Sequence, residues 1–316
     1  MAAEVITLFG GSGFLGRHLV RRLAKAGHIL RVAVRHPEDA KFLKPLGDVG
    51  QITPMAADLT RPESLVPPLQ GATQCVNLVG LLYERGRQSF AAVHVEGARQ
   101  VALAAKAAGL KDMVQISALG AARESDADYA RSKHAGEEAV RAAFPDAIVF
   151  RPSIIVGPED SFFNRFAAMA RLSPVLPLID GGRTLFQPTY VGDVAEAISR
   201  ALADPAQRGR TFELAGPRTY SFRQLLELML KEIGRRRLLL PVPGPIASLQ
   251  ATVLEHLPHP PLTRDQLRQL RHDNVMSAGA LGYADLGMEP QAIEAILPTY
   301  LDRYRPGGRF SQSGRA

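Results

Sequence analysis

Val5-Ile-Thr-Leu-Phe9, followed at once by Gly10-Gly-Ser-Gly-Phe-Leu-Gly16, is the stretch of sequence that decides the fold. The first run is rich in apolar and β-branched residues and predicts a buried strand. The glycines allow a tight turn and a close approach to a pyrophosphate, and the helical spacing after them predicts a helix. Strand, turn and helix together favour a dinucleotide site over a purely structural turn. The predicted contacts here are Gly10, Gly11, Ser12, Gly13, Phe14, Leu15 and Gly16.

Val- and Ile-rich runs alternate with helical patterns through the first half of the chain. The predicted strands are Val5–Phe9, Leu30–Val34, Cys75–Val79, Met113–Ile116 and Ile148–Phe150. The predicted helices between them are Leu15–Ala26, Phe90–Ala108 and Tyr129–Ala143. Strands that are buried on both faces and joined by helices form a parallel, doubly wound sheet. The sequence therefore predicts an α/β, Rossmann-like fold.

The regular alternation ends near residue 151, where Pro-containing segments begin. We predict a Rossmann-like domain over residues 1–150 and a smaller mixed C-terminal lobe over residues 151–302, from which some segments return to the sheet. Residues 303–316 are rich in Gly, Ser and Arg, which predicts a flexible basic tail. The apolar residues of Ile246–Leu257 fit a core-facing helix, or a docking face for a membrane-associated partner.

The formal charge is +7, but the basic residues are dispersed apart from Arg235-Arg-Arg237 and the tail. This argues against a nucleic-acid partner, and an acidic ligand, an acidic partner or an anionic lipid surface explains the excess equally well. No stretch has the roughly 20 apolar residues of a membrane span, and no signal region precedes the first strand. We expect a cytoplasmic protein; peripheral attachment to the cytoplasmic face of the inner membrane stays open.

The cysteine and histidine content predicts no metal site, because no spaced set of these residues occurs. The single cysteine, Cys75, lies in an apolar run. A buried, inert thiol is the expected state of such a residue.

The residue after the second strand bears on which nicotinamide cofactor is bound. That strand ends at Val34 and is followed by Arg35 and His36. Sites for NAD(H) usually carry Asp or Glu there, which accepts a hydrogen bond from the ribose 2′-hydroxyl. A guanidinium pairs instead with a 2′-phosphate, so NADP(H) is favoured over NAD(H), with a solvated surface arginine as the alternative. Asp58, after the third strand, would accept from the adenine amino group or open the turn before Pro62.

A second polar cluster follows further along the chain. Tyr129-Ala-Arg-Ser-Lys133 places a phenol and an ammonium on one face of a helix, unless they are simply a surface pair. A neighbouring cation is expected to lower the phenol pKa, which suits a general acid for hydride transfer to a carbonyl. Ser117 ends a strand, where its hydroxyl would bond the same carbonyl. The candidate catalytic residues are Ser117, Tyr129 and Lys133.

Motifs spread along the chain carry a resemblance to a known family. They are Gly10–Gly16, Tyr129–Lys133, Phe144-Pro-Asp-Ala-Ile-Val-Phe-Arg-Pro-Ser153, Gly157-Pro-Glu-Asp160, Phe163-Asn-Arg-Phe166, Gln187-Pro-Thr-Tyr-Val-Gly-Asp-Val194, Phe212-Glu-Leu-Ala-Gly-Pro217 and Tyr220-Ser-Phe222. The chain resembles an atypical short-chain dehydrogenase/reductase. It is most similar to the thirty-nine-kilodalton NADPH-binding accessory subunit family of respiratory complex I and its bacterial relatives. The resemblance extends to about Asp273.

This resemblance implies roles for the residues that match the family motifs. Gly10, Gly13 and Gly16 would hold the pyrophosphate, Arg35 the 2′-phosphate and Asp58 the adenine. Ser117, Tyr129 and Lys133 would border the nicotinamide, with Lys133 also bonding its ribose. The remaining predicted cofactor contacts are Leu59, Val79 and Pro152.

Two departures from the family pattern weaken the case for a sugar-nucleotide substrate. His94 stands where sugar-nucleotide-modifying relatives often carry Asn. Ser117-Ala-Leu-Gly120 lacks the Ser-rich pattern of many epimerases and dehydratases. Three functions stay open: an NADP(H)-binding accessory or assembly component linked to complex I, a free NADP-dependent oxidoreductase or epimerase for a small or quinone-like carbonyl, and a redox sensor that changes partners.

Overall fold

The computed structural model describes residues 3–257, 260 and 262–308, and its strands follow the apolar runs of the sequence. In chain order they are β1 Val5–Phe9, β2 Ile29–Val34, β3 Ile52–Ala56, β4 Gln74–Asn77, β5 Asp112–Ile116, β6 Ile148–Pro152, β7 Ile155–Val156, β8 Val175–Ile179, β9 Leu185–Phe186, β10 Thr189–Tyr190, β11 Thr211–Leu214, β12 Tyr220–Ser221 and β13 Leu238–Val242. The predicted bounds of β1 agree with the structure, and those of β2, β4, β5 and β6 differ only at their ends.

The three helices predicted for the first half of the chain are present as α1, α3 and α4, with a change of helix type before α3, and the remaining helices add to them. They are α1 Phe14–Lys25, α2 Val66–Leu69, α3 Ala98–Ala107, α4 Asp128–Ala143, α5 Phe163–Leu172, α6 Val191–Ala203, α7 Phe222–Glu232, α8 Gly244–Leu254, α9 Arg264–Gln269, α10 Ile293–Ile296 and α11 Pro298–Leu301. The predicted helix over residues 90–108 is a π-helix at Ala91–Gly97 that continues into α3. No helix of the described residues is both long enough and apolar enough to cross a bilayer.

In the described part of the chain, seven parallel strands form one sheet in the order β11-β6-β5-β4-β1-β2-β3. The chain fills one side of β1 with β2 and β3 and then crosses to β4, which is the order of a doubly wound sheet. Phe9 and Cys75 share a buried cluster with α3 and α4, while α1 packs against α6. The predicted α/β, Rossmann-like fold is confirmed.

The chain divides into two compact units. The first contains the described residues up to Pro152, together with Val191–Leu214 and Ala278–Met288. The division after Pro152 lies close to the expected boundary at residues 150 and 151. Two elements that follow this boundary in the chain, α6 and β11, belong to the unit that contains the large sheet.

The second unit is a smaller lobe with its own core. It contains three two-stranded sheets, β7 with β10, β9 with β12 and β8 with β13, among the described residues. Side chains of α5, α7 and the last helices fill its centre, including the fully buried Phe163, Leu225 and Tyr300. Each of these sheets has only two strands, and helices contribute most of the buried apolar side chains of the lobe.

The first residues of the tail predicted over residues 303–316 make side-chain contacts with the smaller lobe. The Arg303 guanidinium donates to the Pro158 carbonyl at 2.6 Å, and the Arg305 Nε donates to the Glu232 carbonyl at 2.8 Å. The Tyr304 hydroxyl bonds the Asn164 side chain at 3.0 Å. The flexibility of the tail stays a prediction, and residues 309–316 lie outside the described residues.

Candidate functional site

The Gly-rich turn joins β1 to α1 and packs tightly against its surroundings. Gly10 has φ +77°, a left-handed conformation that favours glycine. A Cβ on Gly16 would lie 2.6 Å from the carbonyl oxygen of Gly10, so only glycine lets α1 approach the turn this closely. A Cβ on Gly11 would lie 2.9 Å from Cγ1 of Val32 on β2. These three glycines are required by the fold itself.

Gly13 differs from the other glycines of the turn. Its backbone is extended, with φ −70° and ψ −179°, a conformation open to any residue. Apart from its chain neighbours, a Cβ there would meet one atom of the described residues within 4 Å, the Gly10 carbonyl oxygen, at 3.2 Å. The open space beside Gly13 lies at the start of α1, where no side chain caps the helix and no acidic residue occupies the first turn. Free N–H groups and the positive end of the helix dipole suit a pyrophosphate at this point.

Polar side chains gather at the ends of β2 and β3. Arg35 is exposed directly after β2, and Asp58 is half-buried shortly after β3. The Asp58 carboxylate accepts hydrogen bonds from the Thr60 N–H at 2.9 Å and the Thr60 hydroxyl at 2.8 Å. Partial burial raises the Asp58 pKa, but these bonds and the charges of Arg35 and Arg61 outweigh it and lower the pKa overall. The carboxylate therefore stays ionised beside Arg35.

The next residue along the chain, Leu59, is buried, and its side chain lies against Gly97, where a Cβ would come within 3.0 Å of it. Val79 follows β4 and lies against the turn, because its Cγ2 would be 3.1 Å from a Cβ on Gly10. Pro152 is buried at the end of β6, and its carbonyl accepts from Leu119 N–H at 2.9 Å. The cofactor contacts predicted for Leu59, Val79 and Pro152 stay predictions.

The sequence analysis did not identify Arg17, which reaches back over the Gly-rich turn. Its guanidinium donates to the Ser12 carbonyl at 3.3 Å and to the Gly13 carbonyl at 3.4 Å. It also lies 5.2 Å from the ring centroid of Phe42, in the 3₁₀ segment after β2. This places a second cation between the turn and the chain that follows Arg35. The signal in the sequence was the Arg immediately after Gly16.

The structure brings Ser117, Tyr129 and Lys133 to the end of β5. The Lys133 Nζ lies 3.4 Å from the carbonyl oxygen of Ile116, the residue before Ser117, and 5.7 Å from the ring centroid of Tyr129. The Ser117 N–H donates to the Phe150 carbonyl at 2.7 Å, which fixes this end of the strand. The Ser117 Oγ is buried without a hydrogen-bond partner in the described residues. A buried hydroxyl in that state is suited to a ligand.

The expectation that Lys133 lowers the Tyr129 pKa is wrong for the protein alone. Burial raises the pKa of Tyr129 to about 12. Burial also lowers the pKa of Lys133 to about 8, although Glu137 partly opposes this shift. Desolvation disfavours the phenolate and the ammonium alike. The phenol is therefore neutral and a weak acid at pH 7.

His94 joins two parts of the site, a role that the sequence comparison with Asn did not reveal. Its Nε2 accepts the Leu81 N–H at 2.8 Å, so the ring proton resides on Nδ1, which lies 2.9 Å from the Ser132 Oγ. The ring also contacts the Tyr129 ring edge-on, with centroids 5.5 Å apart. Burial and the charge of Lys133 lower its pKa to about 3. His94 is thus a neutral link between the loop after β4 and the start of α4.

The π-helix places His94 where it can make these contacts. A Cβ on Gly136 of α4 would lie 2.1 Å from the His94 carbonyl oxygen, so glycine permits a very close approach of the two helices. Helical periodicity alone does not distinguish a π-helix from an α-helix. Single π turns are often found at functional sites.

A nicotinamide dinucleotide fits this set of residues. The uncapped start of α1 with open space at Gly13, the cations Arg17 and Arg35, and the unpartnered Ser117 hydroxyl offer groups for its phosphates and for its nicotinamide end. The described residues contain no group of three or more His, Cys, Asp or Glu side chains that could hold a metal ion. Cys75 is buried, which raises the pKa of its thiol and keeps it protonated.

Comparison with known proteins supports this interpretation. Residues 6–215 match the model of the NAD dependent epimerase/dehydratase family. The mitochondrial NADH dehydrogenase [ubiquinone] 1 alpha subcomplex subunit 9 of Arabidopsis thaliana is 37% identical, and the match covers 96% of this chain and 79% of that protein. A ceramide reductase of Caulobacter vibrioides is 40% identical, over 56% of this chain and 55% of the reductase.

The fold is also found in solved structures. The triphenylmethane reductase of a Citrobacter species superposes with a TM-score of 0.76 at 19% identity, covering 94% of this chain and 99% of that one. At that identity the likeness concerns the fold alone. The family match, which covers more than half of the chain, confirms the resemblance to atypical short-chain dehydrogenases. The chain belongs to the NAD-dependent epimerase/dehydratase family, whose members bind a nicotinamide dinucleotide.

Proposed function

We propose that this chain is an NADP(H)-binding accessory or assembly component of a respiratory NADH:quinone oxidoreductase, complex I. The observation that carries the proposal is the extent of similarity. The Arabidopsis NADH dehydrogenase subunit aligns with 96% of this chain, whereas the ceramide reductase aligns with 56%. The proposed place of action is the cytoplasmic face of the inner membrane, to which the protein is attached peripherally.

The preference for NADP(H) over NAD(H) rests on charge at the end of β2. Arg35 occupies the position where NAD(H) sites carry an acid. Arg17 adds a second guanidinium, which is hydrogen-bonded to the turn and lies against the ring of Phe42. Guanidinium groups pair well with phosphate, so this part of the site favours the cofactor that carries a 2′-phosphate.

The state of Tyr129 favours a structural role for the bound cofactor. A phenol with a pKa of about 12 releases its proton poorly at neutral pH. The uncapped helix and the Gly-rich turn, by contrast, need no proton transfer to hold a dinucleotide. A ligand that binds only the folded protein stabilises it by about 2.7 kcal/mol at a hundredfold excess over Kd. NADPH is therefore expected to act chiefly by stabilising the fold that the partner recognises.

The test is a pull-down of the tagged full chain from its native cells after mild solubilisation of the membranes. Mass spectrometry should find NADH dehydrogenase subunits and co-purified NADP(H). The Gly13→Val variant should lose both, and Tyr129→Phe should keep both. Recovery of the chain without any respiratory subunit would contradict the accessory function.

A second candidate function is a free NADP-dependent oxidoreductase or epimerase acting on a small or quinone-like carbonyl. The observation in its favour is the unpartnered Ser117 Oγ beside Lys133 and Tyr129. NADPH oxidation with a panel of carbonyls and quinones at rates above about 1 per second, abolished by Tyr129→Phe, would support it. Only slow oxidation that Tyr129→Phe leaves unchanged would exclude it for that panel.

A further inference from the structure

The second unit exposes a segment that carries no charge. Residues 238–254, which include β13 and α8, contain no Asp, Glu, Lys, Arg or His. On α8 the side chains of Ile246, Leu249 and Val253 are 51%, 71% and 70% exposed. Their spacing of three and four residues places them on one face of the helix. The opposite face is buried through Ala247 and Ala251.

The apolar surface continues along β13, whose Leu238 and Leu240 are both exposed. These two residues alternate along the strand and therefore point to the same side. Isolated exposed apolar residues are ordinary, but two consecutive elements that together expose five large ones indicate an interaction surface. We call this surface, formed by the exposed side chains of β13 and α8, the apolar face.

Cations stand at the start of the apolar face. Arg235, Arg236 and Arg237 directly precede β13. The Nε of Arg235 bonds the Tyr304 carbonyl at 3.0 Å, and that of Arg237 bonds the Ala170 carbonyl at 2.7 Å, so both are fixed in place. Arg236 is exposed. The described residues form no ion pair with Arg236, which leaves its charge available.

An open cavity of about 890 Å³ adjoins the junction of β13 and α8. Its walls include Arg183 and Arg223 together with Pro241 and Pro243. Asp180 also lines it, but its carboxylate lies 3.0 Å from the position of a Cβ on Gly244, at the start of α8, where the helix dipole favours a negative charge. The cavity thus presents two guanidinium groups next to the first residues of the apolar helix, of which that of Arg223 also lies 3.7 Å from the Glu227 carboxylate.

We propose that the apolar face docks reversibly on an anionic lipid bilayer. The leucine, isoleucine and valine side chains enter the boundary between headgroups and acyl chains, and the arginines at residues 235–237, 183 and 223 bind lipid phosphates. Buried apolar area and electrostatic attraction of cations to anionic lipids together set the strength of peripheral membrane binding, and this surface offers both. A second copy of the chain fits less well, because a two-fold dimer through this face would bring the same arginines near one another. The inference rests on the peripheral membrane attachment in the proposed function and assigns a surface to it; because its tests use lipid vesicles without any respiratory subunit, its failure is distinguishable from a failure of the complex I association.

The chain contains no tryptophan, so Leu249→Trp provides a single reporter on the apolar face. Val49→Trp is the matched control, because Val49 is fully exposed in the first unit. Vesicles of phosphatidylcholine mixed with phosphatidylglycerol should shift the Leu249→Trp emission to the blue and shield it from an aqueous quencher. Vesicles of phosphatidylcholine alone should not, and the Val49→Trp emission should stay unchanged with both.

Flotation of the full chain with the same vesicles measures the affinity. Leu249→Glu should weaken binding to the anionic vesicles about tenfold or more. Val49→Glu adds the same charge and should keep most of the wild-type affinity. If Leu249→Glu melts at the same temperature as the wild type, its fold is intact. The proposal is overturned if the chain does not bind the anionic vesicles, or if Leu249→Glu binds as well as the wild type. Self-association in solution that Leu249→Glu abolishes would assign the face to a second copy instead.

Discussion

The Nζ of Lys133 lies 5.7 Å from the ring centroid of Tyr129, and burial disfavours the charged form of both groups. At pH 7 the phenol is neutral, whereas Lys133, with a pKa of about 8, is still mostly protonated. The buried ammonium therefore lowers the stability of the folded protein at neutral pH, and this cost falls as the pH rises.

Lys133 should make the protein more stable as the pH rises from neutral. Its pKa is about 8 in the folded protein, below the ordinary value of 10.5. Between these values the unfolded chain binds the proton and the folded chain does not, so stability increases with pH and the gain is complete near pH 10.5. Between pH 7.5 and 9.5 the gain should be about 2 kcal/mol. Denaturant unfolding of wild type and Lys133→Met at both pH values isolates this contribution, and equal pH dependence of the two proteins would refute it.

His94 should contribute to loss of stability in acid. Its folded pKa of about 3 lies below the ordinary 6.5, so the unfolded state binds the additional proton between these values. Stability from this source is present above pH 6.5 and is lost as the pH falls toward 3, by about 2 kcal/mol at pH 5. His94→Asn, which cannot titrate, should show a shallower acid limb in urea unfolding. An unchanged acid limb would mean that His94 is protonated in the folded protein.

The cations beside the turn should set the cofactor preference. Arg35→Asp should lower NADPH affinity by about 2–3 kcal/mol and affect NADH far less, because only NADPH carries the 2′-phosphate. Arg17→Ala should also reduce the preference for NADPH over NADH. Arg21→Ala is the control, since Arg21 is an exposed residue one turn further along α1. If Arg21→Ala and Arg17→Ala have the same effect on both cofactors, Arg17 does not contact the phosphate.

Gly13 and Gly16 should differ when each is changed to valine. At Gly16 the new Cβ collides with backbone atoms 2.6 Å away, so Gly16→Val should destabilise the protein itself. At Gly13 the nearest atom of the described residues beyond its chain neighbours is the Gly10 carbonyl oxygen, 3.2 Å away, so Gly13→Val should melt near the wild-type temperature yet fail to bind cofactor. Melting by circular dichroism without ligand, followed by NADPH titration, separates these effects. Full binding by folded Gly13→Val would show that the turn is only structural.

The sequence was sufficient to predict features that depend on neighbouring residues. The strand at Val5–Phe9 and the turn after it follow from the local spacing of apolar and glycine residues, and the Tyr129–Lys133 pair follows from its four-residue spacing on a helix. The parallel sheet followed because buried strands alternate with helices.

Other features depend on contacts between distant parts of the chain. The raised pKa of Tyr129 is caused by burial, which the local sequence predicts poorly. His94 links Leu81 with Ser132 only because a π-helix turns it toward both, and a helical pattern does not reveal that winding. Arg17 was missed because its bonds run backward to the turn instead of along the helix. The first residues of the predicted tail contact partners more than 60 residues away in sequence.

Isothermal titration of the purified full chain with NADPH and with NADH measures the proposed binding of NADP(H) itself. We expect one site per chain and at least about tenfold tighter binding of NADPH, which corresponds to about 1.4 kcal/mol or more from the 2′-phosphate. Arg35→Asp should remove that difference without removing the site. Equal affinities of the wild type for the two cofactors, or no binding of either, would contradict an NADP(H) site at the Gly-rich turn.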